Sequence, residues 1–244
     1  MTLLSISQEI LRQTKSASIP STIYGNNQPA AVQVLEVLNR SVKSLSRSYD
    51  WQELTKEHTF SAVISQNNYS LPSDFDRIVN NTFWNTTDNR EMLGSVSGQE
   101  WRTLTDSTAG SGGELEYYRI RANEVLIFPT PTATDNYIFE YISKNIVESS
   151  GGSGQSTWLA DTDVSVIDEY ILKLDATWRL LKSQGRPYAE DQREANLALA
   201  ERMGINAGRQ TINGFRNIKA ISRITARKDR ASIKGKYTSS NRRS

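Results

Sequence analysis

The sequence predicts an α+β protein: a helical bundle formed by N-terminal and C-terminal helices, with an inserted antiparallel β barrel or sandwich domain and an extended basic C-terminal tail. Three observations support this prediction. Apolar residues recur at helical spacing up to residue 54 and again after residue 158. Short β-branched and aromatic runs fill most of the stretch between them. Beyond residue 204, isoleucines are scattered among lysines and arginines.

These changes of pattern divide the chain into five segments. Helices are expected in 1–54 and in 158–204, and the inserted β domain is expected in 55–148. A glycine- and serine-rich linker or loop occupies 149–157, and the basic extension occupies 205–244. A chain of 244 residues is long enough to bury a hydrophobic core.

Two helices are predicted in the first segment. Ser5 and Gln8 fit a capping box, and apolar residues follow at helical spacing, so a short helix is expected near 5–15. Pro29 suits the first turn of a second, longer helix, where its missing N–H costs nothing. The apolar stripe of this second helix consists of Ala31, Val34, Leu35, Leu38, Val42 and Leu45.

The inserted segment predicts several short strands with few helices between them, which favours an antiparallel barrel or sandwich. The expected strands are His58–Ile64, Asn68–Leu71, Arg77–Trp84, Leu115–Arg121, Val125–Phe128 and Tyr137–Ser143. A tight turn at 122–124 should join the fourth and fifth of them into a hairpin. A short helix is expected at Gly98–Leu104. The aromatic residues fit either the core or a base-stacking surface, and we favour the core.

Two more helices are expected after the glycine-rich stretch. The first has an apolar face at helical spacing and should end near Gly185. This face consists of Val164, Ile167, Ile171, Leu174, Trp178 and Leu181. The second should run from Pro187 to Met203, stop at Gly204, and present a mostly acidic, solvated surface.

Charge is distributed very unevenly along the chain. Residues 202–244 hold twelve of the 29 basic residues but one of the 27 acidic residues, which gives a local charge of +11. The remainder of the chain therefore carries −9, although the net formal charge is only +2. A basic tail on an acidic body predicts docking to an acidic partner. Three interpretations stay open: a solvated tail, an arm that binds nucleic-acid phosphates, and a segment that docks on a protein.

The residue inventory offers little for catalysis. The chain contains no cysteine and a single histidine, His58, so disulfides and thiolate metal sites are excluded and zinc or general-base chemistry is poorly supplied. The acidic pairs Asp74/Asp76 and Asp161/Asp163 lack further carboxylates at calcium-loop spacing, so we interpret them as turn and cap residues. We predict no enzyme activity, no catalytic residues, no cofactor and no metal.

Phosphate-loop and membrane signals are also missing from the sequence. The glycine-rich stretches 110–113 and 151–154 lack the lysine that contacts a phosphate. No apolar run approaches the ~18 residues that a membrane span needs, and the N-terminus has no signal-peptide pattern. We therefore expect a soluble protein that is made in a cytoplasm and has no membrane partner.

Several short motifs together resemble the head-to-tail adaptors of tailed bacteriophages, also called tail tubular protein A-like or gatekeeper-type proteins. The motifs are Tyr49-Asp50-Trp51, the stretch Tyr69–Ile78 that contains Leu-Pro-Ser-Asp-Phe-Asp-Arg, Glu100-Trp101, Tyr118-Arg119-Ile120, Ile127–Pro131 and the strand Tyr137–Tyr141. The resemblance covers about residues 28 to 203 and includes the order of helices, β domain and returning helices.

The resemblance implies a structural virion protein at the head–tail interface. Such adaptors form a homo-oligomeric ring, usually of twelve copies, beneath the portal protein, and the genome passes through the channel without sequence-specific binding. Their helices build the ring, the C-terminal extension docks on the portal, and the β domain faces a tail or nozzle protein. The alternative is a nucleic-acid-binding protein that uses the basic C-terminal arm.

Two sets of site residues follow from this prediction. Portal binding is expected from Arg209, Ile212, Phe215, Arg216, Ile218, Lys219, Ile221, Arg223, Ile224, Arg227, Lys228 and Arg230. Packing between subunits of the ring is expected from Leu35, Leu38, Ile171 and Trp178.

Overall fold

The predicted α+β fold class is confirmed by a computed structural model that describes residues 1–106 and 115–207. Within these residues there are five helices and eleven strands. The helices are α1 (Leu3–Gln13), α2 (Pro29–Ser48), α3 (Gly98–Asp106), α4 (Glu169–Ser183) and α5 (Ala189–Ala207). The chain separates into two compact units, 1–196 and 197–244. Of the second unit the structure describes the last turns of α5.

Helices α1, α2 and α4 pack against one another and bury one apolar core. For α1 and α2 the buried face is largely the one that the sequence periodicity predicted, whereas α4 also buries Leu172, Ala176 and Leu180 outside its predicted stripe and leaves Trp178 half-buried. The fully buried members include Leu3, Ile6, Ile10, Val34, Leu38, Val42, Leu172 and Leu180. Charged contacts bridge the helices at the edge of this core. Lys173 Nζ in α4 lies 2.7 Å from Glu9 Oε1 in α1.

The starts of α1 and α4 differ from the sequence expectation. Thr2, rather than Ser5, caps α1, because its hydroxyl accepts a hydrogen bond from the Ser5 N–H at 3.3 Å. Helix α4 begins only at Glu169, capped by the Asp168 carboxylate, which accepts from the Tyr170 N–H at 2.9 Å. The apolar residues just before this cap fit a helical stripe, but they belong to a strand and a buried loop.

Helix α5 continues past the expected stop at Gly204 and ends at Ala207. A glycine inside a helix costs only about 1 kcal/mol relative to alanine, and no other atom lies near the position of a Cβ at Gly204. Without a following turn signal, one glycine does not end a helix.

Eleven short strands form three antiparallel sheets. In chain order they are β1 (Thr55–Ser61), β2 (Asn68–Ser70), β3 (Phe75–Ile78), β4 (Trp84–Asn85), β5 (Arg90–Glu91), β6 (Tyr117–Arg121), β7 (Glu124–Phe128), β8 (Asn136–Ser143), β9 (Val147–Glu148), β10 (Gly154–Gln155) and β11 (Val164–Ser165). The largest sheet is centred on β8, which pairs with β1 along one side and with β3 and β4 along the other.

The predicted barrel is not closed. The second sheet has the order β2-β7-β6, and a parallel bridge between Leu93 and Tyr117 connects β6 to the chain just after β5. Within residues 1–106 and 115–207, no ladder joins β1 of the first sheet to β2 of the second, so the two sheets do not close into a barrel at this edge. The hairpin of β6 and β7 is as expected, with Ala122 and Asn123 at positive φ in the turn.

The sheet centred on β8 and the sheet β2-β7-β6 share one aromatic core. Of the aromatic residues weighed between core and base stacking, Tyr118 lies in this core and Trp51 is buried, whereas Trp84, Trp101 and Tyr117 are half-buried. Phe83, Tyr118 and Phe139 are each about 1% exposed. The rings of Phe83 and Tyr118 lie 4.7 Å apart, and those of Phe83 and Phe139 lie 5.1 Å apart. His58 packs edge-on against this cluster, with its ring centroid 5.3 Å from that of Phe139, and burial lowers the pKa of its imidazole while Asp74 opposes that shift.

The predicted strand Arg77–Trp84 is divided into two. Strand β3 ends at Ile78, a turn with Asn81 at positive φ follows, and β4 begins at Trp84. The glycine- and serine-rich stretch 149–157 is also more ordered than a linker. It contains β10, which pairs with β9 in a hairpin, and β11 completes the small third sheet on the other side of β9.

Candidate assembly surfaces

Arg77 joins the β domain to the end of helix α2. From strand β3, its Nε donates to Asp50 Oδ1 at 2.9 Å. Its Nη2 donates to the carbonyl oxygens of Ser46 at 3.1 Å and of Tyr49 at 2.9 Å. Nη1 contacts the Asp76 carboxylate at 2.8 Å. One guanidinium therefore caps carbonyls at the C-terminus of α2, where positive charge is favourable, and fixes the strand to them.

Trp51, which directly follows Asp50 in the sequence, strengthens the same junction. Its indole Nε1 donates to the Leu45 carbonyl at 2.7 Å, and the ring is 1% exposed. The Tyr49 ring packs edge-on against it with centroids 5.5 Å apart. The Thr55 hydroxyl, at the start of β1, donates to the Trp51 carbonyl at 2.9 Å. The two motifs Tyr49-Asp50-Trp51 and Asp76-Arg77 thus meet at one place, where the helical bundle passes into the β domain.

Asp74 organises a polar network beside this junction. Its carboxylate accepts hydrogen bonds from Lys56 Nζ at 2.7 Å, from the Tyr141 hydroxyl at 2.9 Å and from the Ser143 hydroxyl at 2.8 Å. Partial burial by itself would raise the pKa of Asp74, but these donors outweigh burial and lower the pKa from 3.8 to about 2. The network joins β1, the residue before β3, and the end of β8.

The Asp74→Asn variant is expected to lose about 2 kcal/mol of unfolding free energy at neutral pH, since the depressed pKa corresponds to that order of stabilisation. In the wild-type protein this stabilisation is present above pH ~4 and is lost as the pH falls toward about 2, because the carboxylate then binds a proton. Urea unfolding at several pH values measures this difference. The variant should approach wild-type stability near pH 2.

Asp88→Asn provides the matched control for this experiment. Asp88 lies on the same domain, but its ion pair with Arg90 spans 3.9 Å and both side chains are 44% exposed. A pair of this kind contributes little to stability. The Asp74 assignment fails if both variants lower the unfolding free energy equally at neutral pH.

Asp163 has the local turn role expected from the sequence, whereas Asp161 binds a distant loop and caps no helix among the described residues. The Asp161 carboxylate accepts from the N–H groups of Ile23 at 3.1 Å and Tyr24 at 2.7 Å. Asp163 Oδ2 accepts from the N–H groups of Leu159 and Ala160. These carboxylates are therefore occupied by backbone donors, which ties the loop after α1 to the segment before α4.

The four residues predicted for subunit packing fall into two groups. Leu38 and Ile171 are 0% and 3% exposed inside the helical core, so any contribution they make to a ring is indirect. Leu35 and Trp178 are half-buried and reach the surface of α2 and α4. Their role between subunits stays a prediction.

Trp178 lies in a group of cationic and aromatic side chains on the surface of α4. The Arg179 guanidinium lies 4.7 Å from the Trp178 ring centroid, and Lys182 Nζ lies 5.8 Å from it. The Tyr188 ring is 6.2 Å away, and the indole N–H donates to Asp175 at 2.9 Å. Stacked cations and a flat ring give a surface suited to protein contact.

The predicted portal-binding residues, from Arg209 to Arg230, all lie outside the described residues. Among the residues that the structure does describe, no group of three or more histidine, aspartate or glutamate side chains is arranged to hold a metal ion. In the same residues, no helix combines the length and the apolar character needed to cross a membrane.

Sequence reasoning identified the motifs at the junction but not what they do. The roles of Arg77 and Asp50 depend on an approach between residues 27 positions apart, which no local pattern reveals. The only available signal was the dense alternation of acidic, aromatic and basic residues in the stretch Asp74–Arg77.

The comparison with protein families gives one result that spans most of the chain. The family model described as SU10 adaptor protein matches residues 1–229. No curated protein matches the chain.

Proposed function

The chain belongs to the SU10 adaptor family, a family of phage head-to-tail adaptors, and on this premise we propose that it forms a ring beneath the portal and links the portal to the tail. The family makes it a structural component of the virion. In the proposed arrangement the helices α1, α2 and α4 build the ring, the β domain faces the tail, and the genome passes through the central channel.

The observation that carries the proposal is the family match over residues 1–229, because it covers both the helices and the inserted β domain. The junction at Arg77 also supports a connector role, since it fixes the β domain to the helix that precedes it. A protein that links two large assemblies must transmit force between its own parts, and several partly buried, charge-assisted hydrogen bonds from one side chain suit that task.

The C-terminal extension is the proposed portal-docking segment. Its local charge of +10 would cause strong mutual repulsion among the copies of a ring, especially at low salt. An acidic portal surface would offset this repulsion, and the interspersed apolar residues would add contact area.

A match to a structural family and the absence of a nucleophile–base pair from the sequence pattern support a non-enzymatic role.

Electron microscopy or native mass spectrometry of the protein mixed with its portal tests the proposal. We expect a ring bound to the portal, with a defined number of copies, usually twelve in such adaptors. A protein that stays monomeric and does not associate with the portal would exclude the connector function.

The charge of the extension favours one second candidate, a nucleic-acid-binding protein with a basic arm. Neutralising several phosphates releases counterions, so binding by such an arm should weaken steeply as salt concentration rises. Titration of duplex DNA at several salt concentrations separates the two functions. Tight, steeply salt-dependent DNA binding without portal binding would favour the second candidate.

Substitutions at two α-helical residues separate a role in the fold from a role in the ring. Leu38→Ala should lower the unfolding free energy of the monomer by about 2–5 kcal/mol, because it opens a cavity in the helical core. Trp178→Ala should lower the unfolding free energy less than Leu38→Ala does, but it should reduce ring formation on the portal. Thermal unfolding and native mass spectrometry measure the two effects. Unchanged ring formation by Trp178→Ala would remove that residue from the subunit interface.

A further inference from the structure

The loop between β1 and β2 exposes two adjacent aliphatic side chains at its tip. Val63 is 56% exposed and Ile64 is 58% exposed, whereas Ala62 before them and Tyr69 after them are buried. We refer to Val63 and Ile64 as the apolar tip. The sequence pattern predicted a strand through both residues, but β1 ends at Ser61.

Hydrogen bonds hold the apolar tip in one conformation. The Gln66 N–H donates to the Val63 carbonyl at 3.0 Å and closes a tight turn, in which Ser65 takes a positive φ of 67°. The Tyr69 hydroxyl accepts from the Val63 N–H at 3.0 Å and donates to the Gln66 carbonyl at 2.7 Å. The Ser65 N–H donates to the Pro131 carbonyl at 3.0 Å. A loop ordered before binding loses little conformational entropy when a partner covers it.

The surroundings of the tip exclude a phosphate-binding role. Its own loop, 62–67, contains no charged residue, and the charged residue of the adjacent loop, 129–135, is the anion Asp135, which would repel a phosphate. Binding to nucleic acid requires cations that neutralise phosphates. An apolar, uncharged protrusion instead fits an apolar socket on a protein, where burying it requires no desolvation of charge.

The tip is too small to hold any partner protein as an isolated pair. A stable interface between two proteins buries about 1,200–2,000 Å² in total, and two partly exposed side chains supply a small fraction of that area. Such a contact gains strength when many copies engage one partner assembly together. A ring of adaptors that meets a ring of tail proteins provides this repetition.

We propose that Val63 and Ile64 of each copy insert into an apolar socket on the tail protein that the β domain faces. This inference rests on the proposed connector function. Tyr69 acts as a positioning residue, because its hydroxyl fixes the turn that presents the two side chains.

The test uses the full-length chain assembled on its portal and the tail protein purified from the same phage. The double variant Val63→Ser/Ile64→Ser should bind the tail protein on the order of 10- to 100-fold more weakly, with portal docking unchanged. The control variant Ile19→Ser/Leu159→Ser removes two aliphatic residues that are 44% and 51% exposed in the helical part. The control should bind the tail protein as the wild-type chain does.

Tyr69→Phe tests the positioning role while both tip side chains remain in place. We expect tail binding to weaken a few-fold and hydrogen exchange at the Val63 amide to become faster, because that N–H loses its acceptor. A role in the core alone would leave the exchange rate at Val63 unchanged.

The outcomes separate this inference from the function on which it rests. Wild-type tail binding by the Val63→Ser/Ile64→Ser variant overturns the inference, and so does a loss of ring formation or portal docking in that variant alone. Failure of the wild-type chain to bind the portal overturns the connector function and the inference with it.

Discussion

A chain truncated after Ala207 is expected to fold but to lose binding to the portal. The truncation removes 208–244 and leaves α5 complete, since that helix ends at Ala207. It also removes most of the basic extension, including all twelve residues predicted to contact the portal. Losing both the charge and the apolar residues of the docking segment should lower portal affinity by about 100-fold or more, because an entire binding segment is removed.

Circular dichroism, thermal unfolding and co-sedimentation with portal particles measure the two parts of this prediction. A second variant replaces the basic residues of 208–244 by glutamine and keeps the isoleucines and Phe215. If charge and apolar contact both contribute, this variant should bind more weakly than the full chain and more tightly than the truncated chain. Portal binding by the truncated chain at wild-type affinity would exclude the extension as the docking segment, and loss of the fold would show that it belongs to the body.

Arg77→Met should lower the unfolding free energy by about 2–4 kcal/mol, because it removes hydrogen bonds from a charged donor to Asp50 and to two carbonyls at the end of α2. The substitution keeps much of the apolar stem of the arginine. The guanidinium is 32% exposed, so solvent screening limits the share that comes from the ion pair, and the capping of the carbonyls contributes the rest. Denaturant unfolding measures the change.

Two further variants identify the origin of the effect. Arg77→Lys keeps the charge but lacks the planar fork that reaches several acceptors, so it should recover only part of the loss. Arg90→Met removes a surface arginine whose nearest ion pair spans 3.9 Å, and it should cost less than about 1 kcal/mol. Hydrogen exchange at residues 49–51 should become faster in Arg77→Met than in Arg90→Met. Equal stability of these two variants would contradict the role of Arg77 at the junction.

The junction also bears on the connector function. The β domain is attached to the helical bundle through the end of α2, where the Arg77 guanidinium and the buried Trp51 ring both act on helix carbonyls. A loosened junction would let the β domain move relative to the ring. We therefore expect Arg77→Met to weaken tail attachment as well as the fold, whereas the substitutions at the apolar tip should affect attachment alone.

The helices were predictable because an amphipathic pattern is local. The stripe from Ala31 to Leu45 predicted α2, and the structure buries most of that stripe. The helix boundaries did not follow from the apolar pattern alone, as the start of α4 shows. Val164 and Ile167 continue the helical period, yet Val164 pairs with Glu148 of β9, and only the Asp168 cap fixes the first turn.

The β region was predictable as a class but not in its details. The hairpin at 117–128 follows from its sequence, because turn and strand residues are adjacent. The division of Arg77–Trp84 into β3 and β4 does not, since both strands pair with β8, far away along the chain. Strand pairing of this kind depends on hydrogen bonds between distant segments. Such bonds produce no periodic pattern in the sequence.

By itself, the sequence determined the α+β class, the order of helices and β domain, the absence of thiol chemistry and the separation of charge between residues 202–244 and the rest of the chain. These properties depend on composition and on local periodicity, which each segment carries within itself. Tertiary structure alone decided that the barrel stays open, that Arg77 caps α2, and that Val63 and Ile64 reach solvent. These features arise where residues distant in sequence compete for the same hydrogen-bond partners and the same buried volume, so only the folded chain determines them.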